Sequence, residues 1–86
     1  MKQMEKTLKA LANRRRLAIL KYLKNSKEAP VGDIADHIKL SFKATSKHLN
    51  ILANHDIVDR EQRSLLMYYH LSSEQKAAVS RILSLL

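Results

Sequence analysis

The sequence predicts a mainly α-helical fold with one small β-hairpin, and three observations carry that expectation. Apolar residues recur at three- and four-residue spacing through most of the chain, as they do along the buried side of a helix. Between Ile57 and Leu71 that spacing gives way to alternation and a concentration of β-formers, the pattern of paired strands. The single proline and the single glycine, Pro30 and Gly32, fall together, so the helical part is punctuated strongly at only one place. The expected order is helix, helix, short strand, helix, helix, strand, strand, helix (α-α-β-α-α-β-β-α), all within one domain spanning residues 1–86.

Each element follows from local chemistry. Met1, Met4, Leu8 and Leu11 place a first amphipathic helix in the opening dozen residues. Asn13 is a natural N-cap for a second helix from Arg14 to about Asn25, with Leu17, Ala18, Leu20 and Leu23 inward and Ile19 and Tyr22 flanking. Arg14, Arg15 and Arg16 sit at the start of that helix, where the macrodipole disfavours cations. They call for an external anion, an internal carboxylate, or solvent with one arginine paired inside. Ala29-Pro30-Val31 adds a brief extended segment, because proline biases its predecessor toward β geometry. Gly32 or Asp33 opens a short helix to about Lys39, with Ile34, Ala35 and Ile38 inward. Ser41 then caps a longer helix to His55, about 22 Å long at 1.5 Å per residue. Its inner stripe is Thr45, Leu49, Ile51 and Leu52. Ile57 to Gln62 forms a strand, Arg63-Ser64 the turn, and Leu65 to Leu71 the return strand. Ser72 with Gln75 makes a capping box for a last helix carrying Val79, Ile82, Leu83 and Leu86.

A short helix, a tight turn and a longer helix form a helix-turn-helix, and a two-stranded ribbon after it makes the whole a winged helix-turn-helix. Lys43, Ala44, Ser46, Lys47 and Asn50 fall mainly on the outward side of the longer helix, which carries no acid before Asp56. Short polar and basic side chains let a helix approach a DNA groove closely. Lys43 and Lys47 suit guanine edges or phosphates, and Ser46 and Asn50 suit base edges. On the ribbon, Arg60 and Arg63 are available for phosphates or the minor groove.

Composition narrows the partners. Sixteen basic against eight acidic residues leave a formal charge of +8, which favours polyanions. With only four aromatic side chains, Tyr22, Phe42, Tyr68 and Tyr69, stacking platforms for single strands are poorly supplied, so duplex DNA is the expected partner. Cysteine is absent, which excludes disulfides, thiolate metal sites and thiol switches. No apolar run is long enough for a bilayer and Met1 to Lys9 lacks a signal-peptide core, so a cytoplasmic protein is expected, with no membrane partner. Nothing in the sequence suggests an enzyme or a cofactor: there is no glycine-rich phosphate loop and no paired carboxylates on a plausible pocket. A winged-helix protein-docking module and a non-specific architectural DNA binder are the alternatives.

Four segments, in this order and spacing, resemble the ArsR/SmtB family of winged-helix repressors over nearly the whole chain: L-A-N-R-R-R-L-A-I-L at Leu11–Leu20, V-G-D-I-A at Val31–Ala35, L-S-F-K-A-T-S-K-H-L-N-I-L at Leu40–Leu52, and L-M-Y-Y-H-L at Leu66–Leu71. The resemblance implies a homodimer built by the first and last helices. The residues agree, because Met4, Leu8, Leu11, Val79, Ile82, Leu83 and Leu86 exceed what one small domain must hide. It also implies promoter occupation relieved by an effector, which nothing in the sequence identifies. Family recognition positions correspond to Ser41, Lys43, Ala44, Ser46 and Lys47, with wing arginines at Arg60 and Arg63, and His48 matches a family histidine given a minor phosphate contact. The common family metal sites are missing: Pro30, Val31 and Gly32 stand in place of a C-V-C segment, and Ser72–Leu86 holds no His or Asp. Asp33 and His37, four residues apart, are two ligands and not a site, so no metal is expected. Asp56 replaces the usual glycine before the hairpin, whose tip also lacks glycine.

Overall fold

Two side-chain caps fix where the longest helices begin. The Asn13 Oδ1 accepts from the amides of Arg15 (2.9 Å) and Arg16 (3.1 Å), and the Ser41 Oγ accepts from the Ala44 amide (3.1 Å). Each satisfies a donor that the first helical turn leaves unpaired. The computed structural model describes residues 1–86. Its elements are α1 (Lys2–Leu11), α2 (Arg14–Ser26), β1 (Glu28–Pro30), α3 (Val31–Ile38), α4 (Phe42–Asn54), β2 (Val58–Arg63), β3 (Leu66–Leu71) and α5 (Ala77–Leu85). This is the α-α-β-α-α-β-β-α order of a winged helix-turn-helix.

The three strands form one antiparallel sheet in the order β1-β3-β2, with Ala29 opposite Tyr69 and Val58 opposite Leu71. The extended segment thus begins at Glu28, and Val31 already belongs to α3, one or two residues earlier than the sequence suggests. Pro30 serves as that helix's N-cap, and its missing amide costs little in an edge strand. At the wing tip the turn is Ser64-Leu65, because Arg63 remains in register with Leu66. Ser64 takes a positive φ of 56°, and Asp56 one of 58°, so both turns enter the left-handed region without glycine.

The expected capping box at Ser72 does not form, and α5 starts at Ala77. The Gln75 Nε2 donates instead to the carbonyls of Ile57 (2.8 Å) and Ser72 (3.0 Å). The Ile57 carbonyl also accepts from the Ser72 amide (3.0 Å), so Ser72–Lys76 is an irregular strap pinned to the turn after α4.

The core is a single cluster drawing on every helix and strand. Ile19, Leu20, Leu23, Ile34, Leu49, Leu52, Ile57, Val58 and Val79 are essentially sealed within it. Thr45, Leu49 and Leu52 form the inner stripe of α4, as the spacing requires, with Ile51 half-buried. On α2 the inward set is rotated one step: Ile19 is sealed, Leu17 half-buried and Ala18 exposed. In α1 the buried positions are Thr7, Ala10 and Leu11, which leaves Met4 (51% exposed) and Leu8 (42%) on the outside. A groove of about 340 Å³ runs between α1 and the start of α5, lined by Met1, Met4, Leu8, Ala77, Ala78 and Val79 among others.

Candidate DNA interface

Lys39 makes the turn of the helix-turn-helix. It adopts the left-handed conformation (φ 56°, ψ 51°), and its amide donates to the carbonyls of Ala35 and Asp36. The chain is thereby redirected so that Ser41 can cap α4. Because Thr45, Leu49 and Leu52 are buried, the opposite side of α4 must face outward. Ser41, Lys43, Lys47 and Asn50 are exposed there, with Ala44, Ser46 and His48 half-buried along its shoulders. No acid occurs between Asp36 and Asp56. Two cations and several short polar groups on one open helical side are the chemistry that suits a helix in the major groove.

Besides shared core packing, one side-chain hydrogen bond joins the wing to this helix: Arg60 Nη1 donates to Asn50 Oδ1 at 2.9 Å. Asn50 therefore holds a wing cation beside the reading surface. Arg63 is engaged differently. Its two terminal nitrogens grip both oxygens of the Glu28 carboxylate, Nη2 to Oε1 at 2.9 Å, while Nη2 also meets Glu61 Oε1 at 2.8 Å. Its guanidinium lies 4.5 Å from the centre of the Tyr68 ring. The hydrogen bonds from Arg63 hold the Glu28 carboxyl below its ordinary pKa, and those to Glu28 and Glu61 raise the pKa of Arg63 in turn. Arg63 thus fastens β2 to β1 across the sheet, instead of standing free at the tip.

Among the three consecutive arginines of α2, Arg16 has defined partners. Arg16 turns back onto the end of α1, where Nη1 donates to the carbonyls of Ala10 (3.2 Å) and Lys9 (3.5 Å). The unexpected partner is neither a carboxylate nor an external anion but the negative end of a helix. The same guanidinium donates through Nε to His48 Nδ1 at 3.3 Å. Acting as an acceptor, Nδ1 carries no proton, so the remaining proton of the neutral ring sits on Nε2. Burial first, then the charges of Arg16 and Arg15, push the His48 pKa below its ordinary value. Glu28 is the residue that sequence reasoning missed, while Arg16 is the one arginine paired inside. A weak signal for Arg16 existed, since a helix end with unpaired carbonyls calls for a nearby cation. None existed for Glu28, whose partner is 35 positions away.

The expected interface residues divide into two sets. Leu11, Val79 and Leu83 are buried within a single copy, whereas Met4 and Leu8 are open and Ile82 and Leu86 half-open. No group of three or more His, Cys, Asp or Glu side chains is placed to hold a metal ion. The His37 ring stacks on Tyr22, with centroids 4.4 Å apart. No helix is long and apolar enough to cross a membrane.

An uncovered reading helix, packed in a helix-turn-helix and flanked by a ribbon, defines the class of winged-helix DNA-binding proteins. The sequence profile of the bacterial regulatory proteins of the arsR family matches residues 13–60. The chain is 37% identical over 76 residues to the transcriptional activator HlyU of Vibrio cholerae, covering 88% of this chain and 69% of that protein. It is 33% identical over 70 residues to the transcriptional repressor SdpR of Bacillus subtilis, covering 81% and 77% respectively. Its fold superposes with a TM-score of 0.82 on the homodimeric winged helix-turn-helix DNA-binding domain Mb0332 of Mycobacterium bovis, at 30% identity over 98% of this chain and 74% of that one. The chain belongs to the arsR family of bacterial regulatory proteins. It is a sequence-specific DNA-binding transcriptional regulator.

Proposed function

We propose that residues 1–86 act as one DNA-binding domain in a cytoplasmic homodimer, whose two α4 helices occupy a partly palindromic operator and repress by blocking the promoter. The observation that carries this reading is the outward side of α4, where Lys43, Lys47 and Asn50 stand exposed with no acid among them. The partner face is the open apolar stripe of α1, Met4 and Leu8, continued by Ile82 and Leu86 of α5. Leu11, Val79 and Leu83 back that face from inside each copy. The homodimeric state of Mb0332 and the repressor role of SdpR support the reading, and promoter occupation requires nothing beyond the DNA-binding domain itself. A twofold pair of reading helices demands half-sites about one helical turn, roughly 34–36 Å, apart. On DNA, Lys43 and Lys47 meet guanine edges or phosphates, and Ser41, Ala44 and Ser46 allow close approach. His48 offers its Nε2 proton to a phosphate, and Arg60 reaches the backbone beside the groove.

Selection of the purified protein on random duplex DNA, with sizing of the recovered complex, tests this directly. The expected result is a palindromic motif bound by two copies, with affinity lowered by Lys47→Ala while the far-UV spectrum is unchanged. Recovery without a motif would assign an architectural role. No recovery at moderate salt would assign a protein-docking role.

A further inference from the structure

Phe42 is the first residue of α4 and is 62% exposed, the most open of the four aromatic side chains. It joins neither the core cluster nor the apolar groove between α1 and α5. Helix propensity does not explain it, since a straight-chain polar residue suits an exposed first turn better. Leaving a ring in water sacrifices the apolar burial that the rest of this small domain depends on. Phe42 opens α4 on the border between the buried stripe of Thr45 and Leu49 and the exposed side of Lys43 and Lys47, one turn before the half-buried Ser46 and in a stretch without acids. At the leading end of a reading helix, the major groove presents donors, acceptors and a single kind of apolar group, the C5 methyl of thymine.

We propose that Phe42 is a specificity-determining residue that recognises one thymine in each half-site by packing its ring against that methyl group. This assignment rests on the reading of α4 as the helix that enters the groove. It adds a base preference that the lysines and serines of α4 do not supply, because a methyl contact distinguishes thymine from cytosine without any hydrogen bond.

Deoxyuridine removes that methyl and leaves the pairing intact, so scanning each thymine of the selected duplex with deoxyuridine isolates the contact. One position per half-site should weaken binding of the unaltered protein by about fourfold, the affinity equivalent of one buried methyl group. Phe42→Ala should bind the thymine duplex as weakly as the deoxyuridine one, while Lys47→Ala should keep the difference. A selection repeated with Phe42→Ala should lose the thymine at that position. A flat scan, or a deoxyuridine penalty that persists in Phe42→Ala, overturns the assignment, as does Phe42→Ala changing only the oligomeric state. If the scan is flat and Lys47→Ala still weakens binding, α4 remains the reading helix and only the role of Phe42 falls. If Lys47→Ala is also silent, both fall together.

Discussion

The reading helix and the wing carry the same kind of charge and use it in opposite ways. On α4, Lys43 and Lys47 are exposed and have no protein partner within hydrogen-bond reach. On the wing, both arginines are committed inside the chain, Arg60 to Asn50 and Arg63 to Glu28 and Glu61. A free cation on a rigid helix meets a phosphate or a base with little reorganisation. A cation already paired must exchange one partner for another, and so contributes less to affinity than its charge suggests. The wing arginines fix where the ribbon lies, so in the proposed complex the lysines of α4 carry more of the affinity than Arg60 does.

The largest effect should come from the helix. Replacing Lys43 or Lys47 with alanine should weaken operator binding on the order of tenfold each, and each change should make the salt slope shallower by about one. Titration at several salt concentrations measures both quantities. Next in size is the link between the two regions. Asn50→Ala and Arg60→Ala should not add: a double-mutant cycle on DNA binding should show a coupling of about 0.5–1.5 kcal/mol. Purely additive losses would mean that helix and wing act separately. Glu28→Gln should act in the opposite direction and more weakly, raising affinity by roughly twofold with a steeper salt slope, because it removes a negative charge and loosens Arg63.

The smallest effect concerns pH. His48 has a lowered pKa in the fold, so the unfolded chain takes up that proton first. Stability should fall as pH drops through the ordinary imidazole range near 6.5 and level off below the lowered value. Thermal melts between pH 7.5 and pH 5, expected to be flatter for His48→Gln, isolate that contribution.

Helix existence and order were legible in the sequence because they depend on local spacing and on caps within three residues. Asn13, Ser41 and the inner stripe of Thr45, Leu49 and Leu52 are of that kind. Misplaced features each had a distant partner. Gln75 fits a capping box by sequence, yet the Ile57 carbonyl 18 positions away claims its amide. The wing turn slipped by one residue because the pairing of β2 with β3 sets it, and no glycine marks the tip. The basic side of α4 was legible, since a helix with one buried stripe has only one side to show. The occupation of Arg60 and Arg63 was not, because a side chain's partner depends on which strands lie side by side. Phe42 was visible as a ring in the sequence, but only burial distinguishes an exposed ring from a packed one.

Arg16 holds the carbonyl end of α1 with one edge of its guanidinium and His48 of α4 with the other. In a twofold assembly built on α1, that side chain is a strut between the surface that meets the partner and the surface that meets the groove. The distance between the two reading heads is then held in part by this one side chain, beside the core packing of α1. Lysine cannot bridge both ends with one planar fork. Arg16→Lys should accordingly leave the half-site sequence intact and relax the preferred number of base pairs between half-sites, a change in the ruler and not in the letters.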